Sequence, residues 1–279
     1  MKNQNHKKKG LSLITTIILI IASFMCLFPL FIALVNSFKT NGEMFNNILK
    51  LPKTLNFENY TETFDKMNYF SSLINNIVIT LIGVGGIIIV SSMAGWKICR
   101  TKTKLSKVIY GLFVFAMLIP FNSVMIPLYR IANVLNLNNS TYGLGIIYIG
   151  LGVSMAIFLY SGFTKTIPIE LEEAAKIDGC GQIGIYYKIV IPLLKPITMT
   201  IAIMNVLWVW NDFQLPLIML QNSKNYTLVL STNMLFGQYN SDWTAILSAL
   251  IMAAIPVVIF YAFFQKYILQ GITDGSVKG

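Results

Sequence analysis

Six apolar runs, each about 20 residues long, fix what this chain can become, because each is long enough to cross a roughly 30 Å hydrocarbon core as a helix. They lie near 13–35, 73–95, 108–128, 142–162, 194–215 and 245–265. Lipid offers no partner to a backbone N–H or C=O, so runs of this kind must pair their own backbone as helices. The expected class is an all-α membrane protein with six transmembrane helices. Charge content agrees: 11% of residues are charged, against roughly 25% in a soluble domain. Residues 1–12 are expected as a basic tail and 13–279 as a single transmembrane domain. Lys7, Lys8 and Lys9 precede the first run. That run is nonetheless too long for a secretory signal and has no small-x-small cleavage site, so it is expected to stay as an anchor.

A net charge of +10 would suit a nucleic-acid partner, but the placement of the bases argues against one. Lys2 and Lys7 to Lys9 precede the first run, and Lys97, Arg100, Lys102, Lys104 and Lys107 crowd the connection between the second and third. Arg130 and Lys224 stand alone in their loops, while Lys39, Lys50, Lys53 and Lys66 are balanced by Glu43, Glu58, Glu62 and Asp65. The bias toward basic cytoplasmic loops places both termini and the segment near 164–193 in the cytoplasm, and the loop near 217–244 outside. Ionisable side chains are nearly absent from the runs, with Lys195 and Asp212 near their ends. An ion-coupled carrier usually holds one at mid-membrane. Cys26, Cys99 and Cys180 are too scattered for a disulfide framework or metal site, and His6, the single histidine, lies in the tail. No catalytic residue, metal or cofactor is expected.

The segment between the fourth and fifth runs reads as a polar helix-turn-helix. Pro168 suits a first helical position, where a missing N–H costs nothing, and Glu170, Glu172 and Glu173 complement the helix N-terminus. A helix is expected over about 168–178. Ile167, Leu171, Ala174 and Ala175 then share one face, whose alanines let another backbone come close. Gly179 ends the helix in the left-handed region, which is cheap for glycine.

The spacing Glu173-Ala174-Ala175, three residues, Gly179, nine residues, Ile189, one residue, Ile191-Pro192 resembles the EAA loop of the permease subunits of binding-protein-dependent ABC importers. Ile191 stands where the pattern has leucine. The flanks Leu171 to Gly179 and Pro192-Leu193-Leu194-Lys195-Pro196 resemble the sugar-importing branch, in particular the maltose-transporter-type second permease. Asn36-Ser37-Phe38-Lys39, Trp210-Asn211-Asp212-Phe213 and the ending from Gln265 through Gly279 extend the likeness over nearly the whole chain.

The resemblance implies the type I importer permease fold in the cell membrane of a prokaryote. It implies a second permease subunit, two ABC ATPase subunits, an extracytoplasmic solute-binding protein, surrounding membrane lipid and a sugar or oligosaccharide as cargo. It implies contact with the ATPase by Leu171, Glu173, Ala174, Ala175, Ile177, Asp178, Gly179 and Pro192, with Glu173 pairing to a basic residue. The chain has no G-x-x-x-x-G-K-S/T loop to cradle phosphates, so ATP hydrolysis falls to a partner. Sugar sites combine aromatic platforms with amide hydrogen bonds, which makes Asn122, Asn205, Trp208, Asn211 and Asp212 candidates for the solute path. Asn205, Trp208 and Asp212 share a helical face. Trp208 also suits an interfacial belt and Asn205 a helix-helix contact. Tyr226, Phe236, Gln238 and Tyr239 are candidates for touching the binding protein. EAA loops also occur in permeases for amino acids, peptides, phosphate and metals, and an autonomous six-helix channel or carrier is the alternative of a different class.

Overall fold

A computed structural model describes residues 2–236 and 242–276, with side chains described for 15–236 and 242–265. Among the described residues the chain is helical and no strand occurs. The elements are α1 (Lys2–Ser37), α2 (Asn41–Asn46), α3 (Glu58–Lys66), α4 (Tyr69–Arg100), α5 (Lys104–Ala116), α6 (Phe121–Val134) and α7 (Thr141–Thr164). They continue with α8 (Glu170–Ile177), α9 (Gln182–Ile185), α10 (Ile191–Asn211), α11 (Gln214–Met219), α12 (Leu228–Asn233) and α13 (Trp243–Ser276). One π-helical turn, Tyr186–Val190, carries α9 into α10. The residues form two compact units, 1–67 with 232–254 and 68–231 with 255–279.

In the first unit, the Asn36-Ser37-Phe38-Lys39 motif ties the end of α1 to the loop beyond it. Lys39 is 1% exposed, yet its ammonium donates to Asn36 Oδ1 at 2.8 Å, Asn47 O at 3.0 Å and Ile48 O at 3.2 Å. Three donors thus meet three acceptors, which a buried cation requires. Burial pulls the Lys39 pKa below its ordinary value, and the Glu43 charge acts the other way. Asn59 Nδ2 closes the knot by donating to the carbonyls of Ser37 and Lys39. The membrane-spanning part of α1, Thr15–Ser37, buries none of its apolar window within the chain.

The second unit is built on α4 against α7, long apolar helices that meet along small residues. A Cβ on Gly145 would stand 2.8 Å from Ile82 Cβ, and one on Gly95 would stand 2.6 Å from Tyr160 Cβ. Glycine at these places lets the backbones approach, which is how helices gain dispersion energy in lipid where apolar side chains gain nothing by leaving it. Tyr148 and Tyr160 fill the seam and are fully buried. One apolar cluster gathers around Ile79, Leu144, Tyr148 and Leu215, and another around Ile87, Tyr160, Val190 and Ile201.

Two expected spans are corrected. Among the described residues five helices are long and apolar enough to cross a membrane, or six if a bent pair counts as one span, and the run at 108–128 is that pair, α5 and α6, bent by 106°. Pro120 is the reason: it holds an extended ψ of 137° at the start of α6, and its ring and missing N–H prevent α5 from continuing through it. The run expected at 194–215 ends at Asn211, because Asp212 is extended with ψ 132°. The residues beyond it form α11, which buries Leu215, Pro216 and Met219.

Candidate functional site

The segment from 164 to 193 carries a short polar helix, α8, fastened to the end of α4, followed by α9 and the π-helical turn. The helix begins at Glu170 rather than Pro168. It ends as a Schellman motif, in which the Cys180 N–H donates to Ala175 O and the Gly179 N–H donates to Lys176 O. Gly179 has φ +85°, the region that motif asks of its glycine. The expected apolar face divides. Ile167 and Ala175 are buried in the chain's own core, while Leu171, Ala174 and Ile177 are exposed, Ile177 at 86%. Glu173, Asp178, Gly179 and Pro192 are exposed as well. Ala175 therefore packs inward, which the alternation of small residues in the sequence does not distinguish from facing out.

Sequence reasoning missed the fastening itself. Glu172 is 9% exposed, and its carboxylate accepts from Arg100 Nε at 2.8 Å and from Trp96 Nε1 at 3.0 Å. Arg100 Nη2 also donates to Ile167 O at 2.9 Å. Tyr186, in the π-helical turn, shares a 2.6 Å hydrogen bond with Ser92 and packs its ring 5.4 Å from that of Trp96. Rather more than two turns of α4, from Ser92 to Arg100, thus grip the segment before α8, α8 itself and the turn after it. A guanidinium reaches two acceptors at once where an ammonium is a point charge. The available signal was therefore a single arginine, Arg100, in a connection otherwise populated by lysines.

The solute-path candidates separate into two groups. A cavity of about 710 Å³ opens beside the bend of α5 and α6, with Phe121, Leu128, Ser154, Trp208, Asp212 and Gln214 among its walls. Trp208 sets its ring at 86° to that of Tyr148, with centroids 5.4 Å apart. The Tyr148 hydroxyl donates to Asp212 Oδ2 at 2.8 Å, and the Gln214 N–H donates to Asp212 Oδ1 at 3.0 Å. The carboxylate is therefore held in place at the cavity wall rather than left to swing. Asn122, Asn205 and Asn211 do not line this cavity. Asn205 and Asn211 donate back to Ile201 O and Leu207 O in their own helix. Asn122 is exposed.

The loop expected near 217–244 as a polar connector is largely folded down in its first part. Asn76 holds it: its Oδ1 accepts from the Leu228 N–H at 2.9 Å and its Nδ2 donates to Trp210 O at 3.4 Å. Ser72 and Ser231 share a 2.8 Å hydrogen bond, and Leu228 is fully buried. Asn75 Nδ2 donates to the Tyr226 carbonyl, and the Tyr226 side chain packs against the apolar cluster. Phe236 is 48% exposed and lies edge-on to Trp243. Gln238 and Tyr239 lie outside the described residues.

Comparison with known proteins places this arrangement in context. Residues 86–274 match the family described as binding-protein-dependent transport system inner membrane component. A probable starch degradation products transport system permease protein, AmyC of Thermoanaerobacterium thermosulfurigenes, is 41% identical over 93% of this chain and 94% of its own. The melibiose/raffinose/stachyose import permease protein MelC of Bacillus subtilis is 35% identical over 98% and 99%. Among solved structures, a chain of a bacterial ABC transporter involved in the import of the acidic polysaccharide alginate superposes with a TM-score of 0.81. That match spans 93% of this chain and 96% of the other at 23% identity.

Proposed function

From the premise that the chain belongs to the family of inner membrane components of binding-protein-dependent transport systems, we propose that it is the permease subunit of an ATP-driven importer for a sugar or oligosaccharide. Its membrane part, residues 13–279, pairs with a second permease, docks one of the importer's two ABC ATPase subunits on the cytoplasmic side and receives solute from an extracytoplasmic binding protein. Both termini lie in the cytoplasm of a prokaryote. The single observation that carries the mechanical part is α8, a helix bolted to α4 by its back and exposing Leu171, Ala174 and Ile177 from its front.

Coupling follows from that layout. ATP closes the two ATPases, each holding one such helix. Leu171, Ala174 and Ile177 supply apolar packing, Glu173 and Asp178 pair with basic groups, and Gly179 and Pro192 fix the angles at which the chain enters and leaves. A loose contact transmits little displacement, so the internal grip of Arg100 on Glu172 and Ile167 matters as much as the external one. Movement of α8 then tilts α4, and with it α7. Trp208 and Asp212, the two solute-path candidates at the cavity wall, offer a ring platform and an oriented acceptor to sugar hydroxyls. Tyr226, Phe236, Gln238 and Tyr239 belong to the segment proposed to meet the binding protein. Asn122, Asn205 and Asn211 serve packing and the mouth of the path.

The cargo class rests on relatives named for saccharides. Reconstituted with its partner subunits in proteoliposomes, the chain is expected to support ATP-dependent uptake of a sugar or oligosaccharide when the cognate binding protein is present. Uptake of amino acids or phosphate without any saccharide uptake would contradict the cargo class and leave the permease assignment standing.

A further inference from the structure

Lys102, Lys107 and Lys165 border one pocket of about 320 Å³, where the end of α4, the first turns of α5 and the end of α7 meet. No carboxylate is among its walls, and none of the three ammoniums has an ion-pair or hydrogen-bond partner among the described residues. The bias toward basic cytoplasmic loops asks only for positive charge in a connection. It gives no reason for lysines of two separate connections to border one cavity. Ser161 adds an observation of another kind. It is 2% exposed and lines the pocket, yet its hydroxyl has no hydrogen-bond partner among the described residues. Ser106, the other buried serine at the pocket, donates to Ile98 O at 3.0 Å. Unlike the orphaned Thr80 hydroxyl, which solvent does not reach, that of Ser161 is open to the pocket.

The chemistry of the occupant is narrow. Three ammoniums that only donate and a hydroxyl free to donate ask for negative charge and several acceptor oxygens, which a phosphate group supplies from more directions than a planar carboxylate. Its source follows from place. Lys165 directly follows α7, which is long and apolar enough to cross a membrane. One turn back from Ser161, Phe158 is exposed on that helix and stacks on Tyr110 with centroids 6.5 Å apart. The pocket therefore lies where lipid head groups give way to tails, and basic pockets between membrane helices are suited to anionic head groups. We propose that the pocket binds a phosphate group carried by the head of an anionic membrane lipid, with its oxygens accepting from the three lysines and from Ser161. The proposal rests on the membrane-spanning reading and is independent of the cargo and of the ATPase contact.

The test uses the full chain within its transporter, in nanodiscs of phosphatidylcholine into which phosphatidylglycerol is titrated. The readout is the rate at which an amine-acylating reagent modifies each lysine, followed by mass spectrometry and taken relative to Lys104. That residue lies beside the same connection, is exposed and does not line the pocket. Phosphatidylglycerol is expected to slow acylation of Lys102, Lys107 and Lys165 relative to Lys104, and to saturate. Lys165→Gln is expected to raise the phosphatidylglycerol needed for half-protection of Lys107 about fivefold, the share of one lysine near an anionic head group. Ser161→Ala is expected to move it in the same direction, and Lys104→Gln to leave it unchanged. Equal protection of all four lysines, or an equal shift from Lys104→Gln and Lys165→Gln, would overturn the proposal, because the attraction would then be diffuse. Protection by inorganic phosphate in phosphatidylcholine nanodiscs, with none by phosphatidylglycerol, would overturn the lipid source. Lysines 102, 107 and 165 already unreactive in phosphatidylcholine alone would overturn it too, since a partner subunit would then cover the pocket.

Discussion

At the scale of single residues, three charged side chains hold parts of the fold together. Lys39 sits on carbonyls, Glu172 on Arg100, and Asp212 on a tyrosine hydroxyl and a backbone N–H. The Arg100–Glu172 side chains are 16% and 11% exposed, buried enough that removing one partner strands the other. Glu172→Gln is expected to destabilise the protein by about 3 kcal/mol, the low end for breaking a buried pair. Thermal unfolding in detergent reads this, and the double variant with Arg100→Gln is expected to recover part of the loss. A melting temperature unchanged by Glu172→Gln would show that the pair carries no stability. Gly179 and Glu172 also mark what sequence can and cannot disclose. A glycine closing a short amphipathic helix announces its left-handed backbone by position alone. The ion pair joins residues 72 apart, and nothing in the local pattern selects Glu172 over Glu170 or Glu173.

At the scale of elements, hydropathy located the membrane helices because an apolar run of membrane length has few other uses. It could not tell a straight span from a folded one. Pro120 and Pro127 lie in the same apolar run, yet Pro127 stays inside α6 while Pro120 separates α5 from α6. The difference lies in the backbone, extended at Pro120 and helical at Pro127, and the letters alone do not show it. Likewise Ala174 and Ala175 are indistinguishable as letters, and only the cluster around Val190 turns Ala175 inward. The α4–α7 seam is more legible, since glycines within apolar runs mark close approach. Gly145→Val drives a branched side chain into Ile82 and is expected to cost about 1–3 kcal/mol by overpacking. Adding Ile82→Ala on the facing helix is expected to restore much of it. Equal stability of the single variant and the native chain, measured by the same thermal assay, would mean that the seam opens without penalty.

At the scale of the whole molecule, the account is a chain of rigid contacts. It runs from an exposed edge of α8, through Glu172, Arg100 and Trp96, into α4, and across the glycine seam to α7, whose Tyr148 holds Asp212 at the cavity wall. Each link is short and partly or fully buried, and under the proposed coupling displacement at the edge is passed along these contacts to the cavity. The central claim is that the outward edge of α8 is where the ATPase attaches. Co-purification of the ATPase and the second permease with the native chain and with Ala174→Asp tests it most directly, because Ala174 is exposed and its replacement leaves the Arg100–Glu172 grip in place. The account predicts that the variant loses the ATPase while keeping the second permease. Recovery of the ATPase in equal amount from both would contradict it.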